Sequence, residues 1–591
     1  MTAPNEPDEP SRVAAARFYF GRALTIIGLA GLLICHFLLI SKTLAVDADG
    51  TVRTLGYGDM QLHLAHVTNF AARPFDFQDP LVFGAPLQYP FAINYLSGWL
   101  LRLTGRLEFS VLFPVLILAA ANLMLAYFLY RRLTASAGWA VWALMLFLFG
   151  SGFGAWNSIT ETYRQGQSFH EHLTQRIADR TSTMVRLDAK YPDQSIVYGA
   201  PINLAFFDQR AFFAGFFLFL ITLTLLGGER LGRWRVLGAG LAIGMLPLAH
   251  THSFIALALA LVIWWGIELR HRNRAQARAL FTAGIIGAVL AAPQLIYLIR
   301  AKQIFTGARP FLHWRLGWMV PEGIGRITHD GNGIGFGRWL QFLWVNLGVL
   351  PLLFLAMLAV LSWRRWRSGQ QMEKPDVISN TSLLPLAALC AVALFVIVNL
   401  VQFQPWDFDN NKLLVYAQFF AAPLAALFLR VLWQRGGILC ELAVNVLIIA
   451  ALLSGMLDTV PRLLAPRREM TAIFNNDDVA LARFVKEKIP EGSLILTPAH
   501  RTNPVLSLAG RPALLGSPSW LWTWGVPFEQ REQEIKRFYA TPAQSDLPSR
   551  YPIRYVVLDD TARREYGAQT AVFYERFTRI FQHGMYSVYQ L

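Results

Sequence analysis

"FAINYLSGWLLRLTG", residues 91–105, decides how this chain crosses a membrane. A helical span needs about 20 apolar residues, and this stretch offers about 15 with Arg102 inside it. If it crossed, Arg131 and Arg132 would lie outside and every later basic loop would invert. If it lies on the outer surface as a helix, the short loops "YRRLTA", "GGERLGRWR", "LRHRNRAQAR", "WRRWRSGQQMEK" and "WQRGG" all fall on one side. Lys and Arg are retained on the cytoplasmic side, so that side is inside. Arg17 and Arg22 precede the first apolar run and put the N-terminus there too.

The composition supports a membrane protein. Of 591 residues, 54% are hydrophobic and only 15% charged, where a soluble domain carries about 25%. Mean hydropathy is +0.37. The formal charge of +15 reads as an orientation signal. No basic block is interleaved with aromatics, which excludes a nucleic-acid module. Cys35, Cys390 and Cys440 sit inside apolar runs, with neither metal-ligand spacing nor a disulfide framework. The first apolar run is too long for a signal peptide and reads as an uncleaved anchor.

These readings predict an α-helical polytopic protein with about eleven spans. Residues 1–22 form a cytoplasmic tail. Spans are expected near 23–45, 110–130, 137–153, 211–227, 236–250, 253–268, 279–299, 339–363, 383–401, 413–433 and 437–457, within a membrane domain of residues 23–460. External loops then cover 46–109, 154–210, 300–338 and 402–412. The loop 300–338 is basic although external, with Arg300, Lys302, Arg309, Arg315, Arg326 and Arg338, and such a loop attracts phosphate. Residues 467–591 turn polar. Helical periodicity in "DVALARFVKEKI" and strand patterns in "GSLILTPA", "RYVVLDD" and "MYSVYQL" predict a small extracytoplasmic α/β domain.

Four polar clusters are candidates for chemistry. In "GYGDMQLHLAHVTNFA", Asp59, His63 and His66 fall at i, i+4 and i+7 on one helix face. Carboxylate and imidazole there suit a general base or a divalent metal, with Asp59 and His63 as its ligands; the plainer reading is a wet helix face with Asp59 as N-cap. "QPWDFDNNK" gathers Asp407, Asp409, Asn410, Asn411 and Lys412 between two spans, more than a polar turn requires. "FFDQRAFF" places Asp208, Gln209 and Arg210 at the outer end of a span, where an arginine either grips phosphate or anchors the helix at the interface. His250 and His252 in "LAHTHSF" stand at an outer turn, directed to a metal or a phosphate or simply hydrogen-bonded. No Walker loop, G-x-S-x-G elbow or CxxC pair is present, which argues against an ATP pump, a hydrolase or a redox protein.

Together these residues resemble the GT-C glycosyltransferase superfamily, nearest to its protein O-mannosyltransferase and aminoarabinose-transferase branch. Asp59 in "GYGDMQLHLAHVTNFA" matches the family acid that opens the first external loop, and "APLQYPFAINYLSGWLLRLTG" its proline-aromatic surface helix. Only one acid stands in "GYGDM", where the commoner pattern has a pair. The resemblance implies an inverting transfer of sugar from a polyprenyl-phosphate donor to a glycan, lipid or protein acceptor on the outer face of a bacterial inner membrane. It makes Asp59 the catalytic base, alone or with Mg2+ or Mn2+. His63, Arg210, His250, His252, Asp407, Asp409, Asn410 and Lys412 are the residues expected to bind substrate. The rival readings are a lipid or solute transporter or flippase, which would place ionisable residues near the midplane and show an internal repeat, and a non-catalytic assembly protein.

Overall fold

The computed structural model describes residues 9–164, 196–303, 312–318, 336–368 and 383–591, without residues 57, 208 and 229–231, together with isolated positions between 165 and 195; side chains are described from residue 22 onward. Seven helices among the described residues are long and apolar enough to cross a membrane: Arg22–Ile40, Leu107–Thr134, Thr251–Arg270, Arg274–Arg300, Leu383–Leu400, Asp407–Gln434 and Ile438–Leu464. Ala137–Phe149 and Arg210–Leu226 are shorter apolar helices, and Arg233–Ala249 is a helix of 17 residues. The chain is an integral membrane protein.

Three elements depart from the sequence reading. The first helix starts at Glu9, so the expected tail is partly helical. The stretch 339–363 is not one straight span. Phe336–Leu347 and Leu350–Arg367 meet at 99°, and the break falls at Gly348, whose φ of 62° a bulkier residue adopts only with strain. The helix expected over 137–153 stops at Phe149. Gln418 makes that early stop possible. Its Nε2 donates to the carbonyls of Leu146, Phe147 and Gly150 at 3.1, 3.0 and 2.8 Å, and its Oε1 accepts from Tyr198 Oη at 2.7 Å. Backbone carbonyls freed away from water need such partners.

Residues 92–104 form a helix of 13 residues, shorter than a span, as the reading of 91–105 requires. It packs on the first-loop helix Met60–Ala72. Arg102 explains its own place in an apolar stretch: Nη1 donates to Ala71 O at 3.0 Å, at the C-terminal end of the first-loop helix, where a cation meets the negative end of the dipole.

Past residue 465 lies an α/β unit. A capping box at Asn475, reciprocated by Asp478, starts helix Asn476–Lys488. Strands Leu494–Leu496 and Ile553–Leu558 pair in parallel, and Tyr586–Gln590 and Thr578–His583 continue the sheet antiparallel. All four sequence patterns in 467–591 therefore form the expected elements.

This unit grips the first loop. Strand Val52–Thr54 pairs with Ala45–Val46 on one side and with Thr471–Phe474 on the other. Ala513 N donates to Pro80 O at 2.9 Å, and Ser507 Oγ donates to Gln61 O at 3.0 Å. Leu62, Ala65, Leu81 and Val82 of the loop share one apolar core with Leu506, Leu515 and Trp520 of the unit. Arg467 adds ion pairs to Asp47 at 3.2 Å and Glu108 at 3.0 Å; the Arg53 and Arg467 guanidiniums hold the Asp47 carboxyl below its usual range.

Gly510 is the closest point of this contact. Its φ is 67°, and a Cβ there would lie 2.5 Å from Thr68 O. Gly510→Ala is expected to loosen the contact by about 1–3 kcal/mol. The check is thermal unfolding and limited proteolysis of the purified protein: a lower melting temperature with earlier cleavage near 465–475 is expected, and an unchanged pair of profiles would contradict the docking.

Candidate active site

Two adjoining cavities open where the first loop, the 402–412 loop and the α/β unit meet. The first, about 400 Å³, is lined by Asp59, Asn203, Trp406, Asp458 and Arg501, among others. The second, about 380 Å³, is lined by His250, Thr251 and His252 and by Leu295, Leu298 and Ile299 of the long helix ending at Gln303. Tyr89, Gln209, Asp409, Lys412 and Trp524 line both. One cavity is thus rich in carboxylates and tryptophan, and its neighbour has an apolar wall on a membrane helix.

Asp59 occupies the N-cap position of the first-loop helix but makes no side-chain cap bond. Its Oδ2 instead accepts from Gln209 Nε2 at 3.1 Å. A carboxylate that forgoes its capping bond and faces a cavity is available for chemistry.

His63 and His66 do not share that exposure. They are 1% and 0% exposed. His63 Nδ1 meets Asn94 Nδ2 at 3.2 Å, and the His66 ring stacks on Tyr89 at 5.3 Å and 12°. Burial drives the His66 pKa down to about 3. His63 is also held well below its usual range, by burial first and then by the nearby Arg210 charge. Both rings are neutral packing elements behind Asp59. Burial likewise raises the Asp79 carboxyl to about 7, where the loop turns back toward the α/β unit.

Arg210 is turned away from both cavities. Its Nη1 donates to Val111 O and its Nη2 to Ser97 Oγ, each at 2.6 Å, so it fastens three helices together. Asp208 lies outside the described residues, as do Arg309 and Arg326 of the basic loop. His250 caps helix Thr251–Arg270 by accepting from Ser253 N, and its Nδ1 lies 2.8 Å from Ser253 Oγ, which in turn bonds Tyr416 Oη. His252 is buried with Nε2 unpartnered, and it lines the second cavity.

The 402–412 loop divides its labour. Asn410 holds the turn, donating to Val401 O at 2.8 Å and accepting from Phe403 N at 3.1 Å. Asn411 bonds Val197 O at 3.0 Å. Asp407 pairs with Arg315 at 3.4 Å and lines neither cavity. Asp409 and Lys412 pair at 2.8 Å and line both.

Sequence reading did not single out Asp458, Tyr89, Trp406, Arg501 or Trp524. Asp458 carried a signal, being an acid inside an apolar helix end. The others become neighbours of Asp59 only through the docking of distant segments.

Asp59 and His63 form no part of a metal-holding cluster: among the described residues no group of three or more His, Cys, Asp and Glu is arranged for one. With His63 Nδ1 directed at Asn94, the pair does not fit a protein-held Mg2+ or Mn2+.

No protein-family model matches the sequence, and no curated protein matches it. Solved structures do match in fold. The apo oligosaccharyltransferase of Archaeoglobus fulgidus superposes with a TM-score of 0.50 at 13% identity, over 90% of this chain and 70% of that one. The arabinofuranosyltransferase AftD from Mycobacteria gives 0.52 at 14% identity, over 96% of this chain and 41% of AftD. The fold is GT-C. The ArnT of Cupriavidus metallidurans, solved with undecaprenyl phosphate, is also similar, with a TM-score of 0.47, 10% identity and 96% and 98% coverage. The two cavities sit beside the acid that opens the first loop.

Acid sensitivity follows from the buried imidazoles. The folded His66 pKa of about 3 lies below the ordinary 6.5. The associated stability is therefore full above pH 6.5 and is lost as pH falls toward 3, about 2 kcal/mol of it by pH 5. His66→Phe keeps the ring against Tyr89 and removes the titration. Melting temperatures at pH 8 and pH 5 should converge in this variant relative to the parent; an equal acid drop in both would refute the assignment.

Proposed function

We propose that the protein is a membrane glycosyltransferase that moves a sugar from a polyprenyl-phosphate donor to an acceptor on the outer face of a bacterial inner membrane. The single observation that carries the reading is Asp59: a carboxylate free of its capping role, held by Gln209, in a cavity adjoining one with a lipid-facing wall. The fold it shares with an A. fulgidus oligosaccharyltransferase solved with a dolichol-phosphate supports it.

In this reading about eleven spans carry the site, with the N-terminus inside and residues 46–109 and 467–591 outside. The outer face lacks nucleotide sugars, so the donor arrives on lipid. Its polyprenyl chain runs past Leu295, Leu298 and Ile299, and its phosphate lies by Lys412 and His252. The phosphate role read for Arg210 falls to these residues, because Arg210 is spent on Val111 and Ser97.

The reaction inverts the sugar carbon. An acceptor hydroxyl or amine in the first cavity attacks C1 and gives its proton to Asp59 as the new bond forms. The bond from C1 to the phosphate oxygen breaks, and its electron pair leaves with polyprenyl phosphate. Lys412, drawn from Asp409, stabilises the growing charge there. Gln209 positions the base. Asp458 offers the acceptor a hydrogen-bond partner.

Purified protein in lipid bilayers, with a panel of polyprenyl-phosphate sugars, tests the proposal by release of polyprenyl phosphate. Asp59→Asn should fold normally and lose at least about a hundredfold in turnover. Lys412→Gln should raise the donor KM about tenfold or more, since a charge-assisted bond to phosphate contributes roughly 1.5–3 kcal/mol. No release with any donor, alongside movement of lipid across the bilayer, would favour a flippase.

A further inference from the structure

The first cavity says more about the acceptor than the transfer reaction requires. Resting on the reading of Asp59 as the base, we infer that the acceptor is a saccharide bearing an anionic substituent, with its ring against Trp406 or Trp524 and its charge met by Arg501.

Trp406 and Trp524 both line the cavity and both are partly exposed. Trp524 leans on Tyr89 at 5.4 Å, and Trp406 stacks on Phe408 at 5.1 Å, so each indole is braced from behind. Braced flat rings beside short polar groups such as Asn203 and Asp458 match a sugar. The C–H face of a pyranose covers an indole, and its hydroxyls both donate and accept. Two separate segments supply these rings, the 402–412 loop and the α/β unit, so the pairing exists only in the assembled fold.

Lys412, the other cation lining this cavity, is already paired with Asp409 at 2.8 Å. Arg501 is exposed, and among the described residues its partners are Ser519 Oγ, at 2.9 Å from Nε, and the Trp520 ring. Neither neutralises it. A Cβ at Gly58 would lie 3.0 Å from Arg501 Nη1, so the guanidinium reaches across from the α/β unit to the residue before Asp59. A cation placed there, with a planar fork, suits a carboxylate or a phosphate on the acceptor. Uronate and sugar phosphate share that chemistry.

Binding is tested without catalysis, so that this inference and the transfer reading fail separately. Saturation-transfer NMR on the full chain in lipid nanodiscs would use maltose, a glucuronyl-glucose disaccharide, glucose 6-phosphate and a short acidic peptide. At least one acidic sugar should bind about tenfold more tightly than maltose, and which one does so names the substituent. Arg501→Gln should bring that sugar down to the level of maltose. Trp406→Leu should weaken all the sugars. Circular dichroism confirms that both variants fold. Equal binding of maltose and the acidic sugars, no sugar binding at millimolar concentration, a preference that survives Arg501→Gln, or a peptide that binds as well as the acidic sugar would each overturn the inference.

Discussion

The site depends on one burial: the helix Met60–Ala72 lies between the short helix Ala92–Thr104 and the α/β unit. Eleven of its residues are buried, the imidazoles included. A helix of this length has little stability alone, so packing must hold it. Asp59, the N-cap residue just before it, is thereby fixed in the wall of the first cavity. The α/β unit pairs strand Thr471–Phe474 with Val52–Thr54 ahead of this helix, presses Gly510 against its Thr68, and supplies Arg501 and Trp524 to the cavity wall. Placing Asp59 and shaping the cavity beside it are one structural task.

Polar groups in and beside the apolar bundle fall into two kinds, and the distinction is where their hydrogen bonds go. Gln418, Arg210 and Asn410 spend theirs on backbone and hydroxyl partners and tie helices or turns together. Asp59, His252 and Lys412 keep atoms directed at the cavities. An unpaired buried polar atom is costly, and the lone Nε2 of His252 belongs to a residue that lines the second cavity. Arg210 has the same charge as Lys412, yet the first is buried against Val111 and Ser97 while the second lines both cavities.

The sequence made the helical membrane character legible because long apolar runs are local signals. The short helix over 92–104 was legible for the same reason: residues 91–105 are too few to span. The four elements sought in 467–591 followed from period and turn chemistry. Asp59, Asp409 and Lys412 could be picked out as ionisable residues beside spans. What periodicity misled was the shared face of Asp59, His63 and His66. The helix presents them as one row, but Asn94 and Tyr89 from a later segment cover the imidazoles. Arg501 and Trp524 were illegible, since they reach Asp59 only by docking of segments more than four hundred residues apart in sequence order. The bend at Gly348 was also hidden, because its hydropathy continues unbroken.

The central claim is that the two cavities are the donor and acceptor halves of one site, with Asp59 at their junction. A cryo-electron microscopy structure of the protein in nanodiscs with undecaprenyl phosphate tests it most directly. The account predicts phosphate density against Lys412 and His252, with the isoprenoid leaving along Leu295, Leu298 and Ile299 and the Asp59 cavity left open. Phosphate density seated away from Lys412, on Arg210 or outside both cavities, would contradict it.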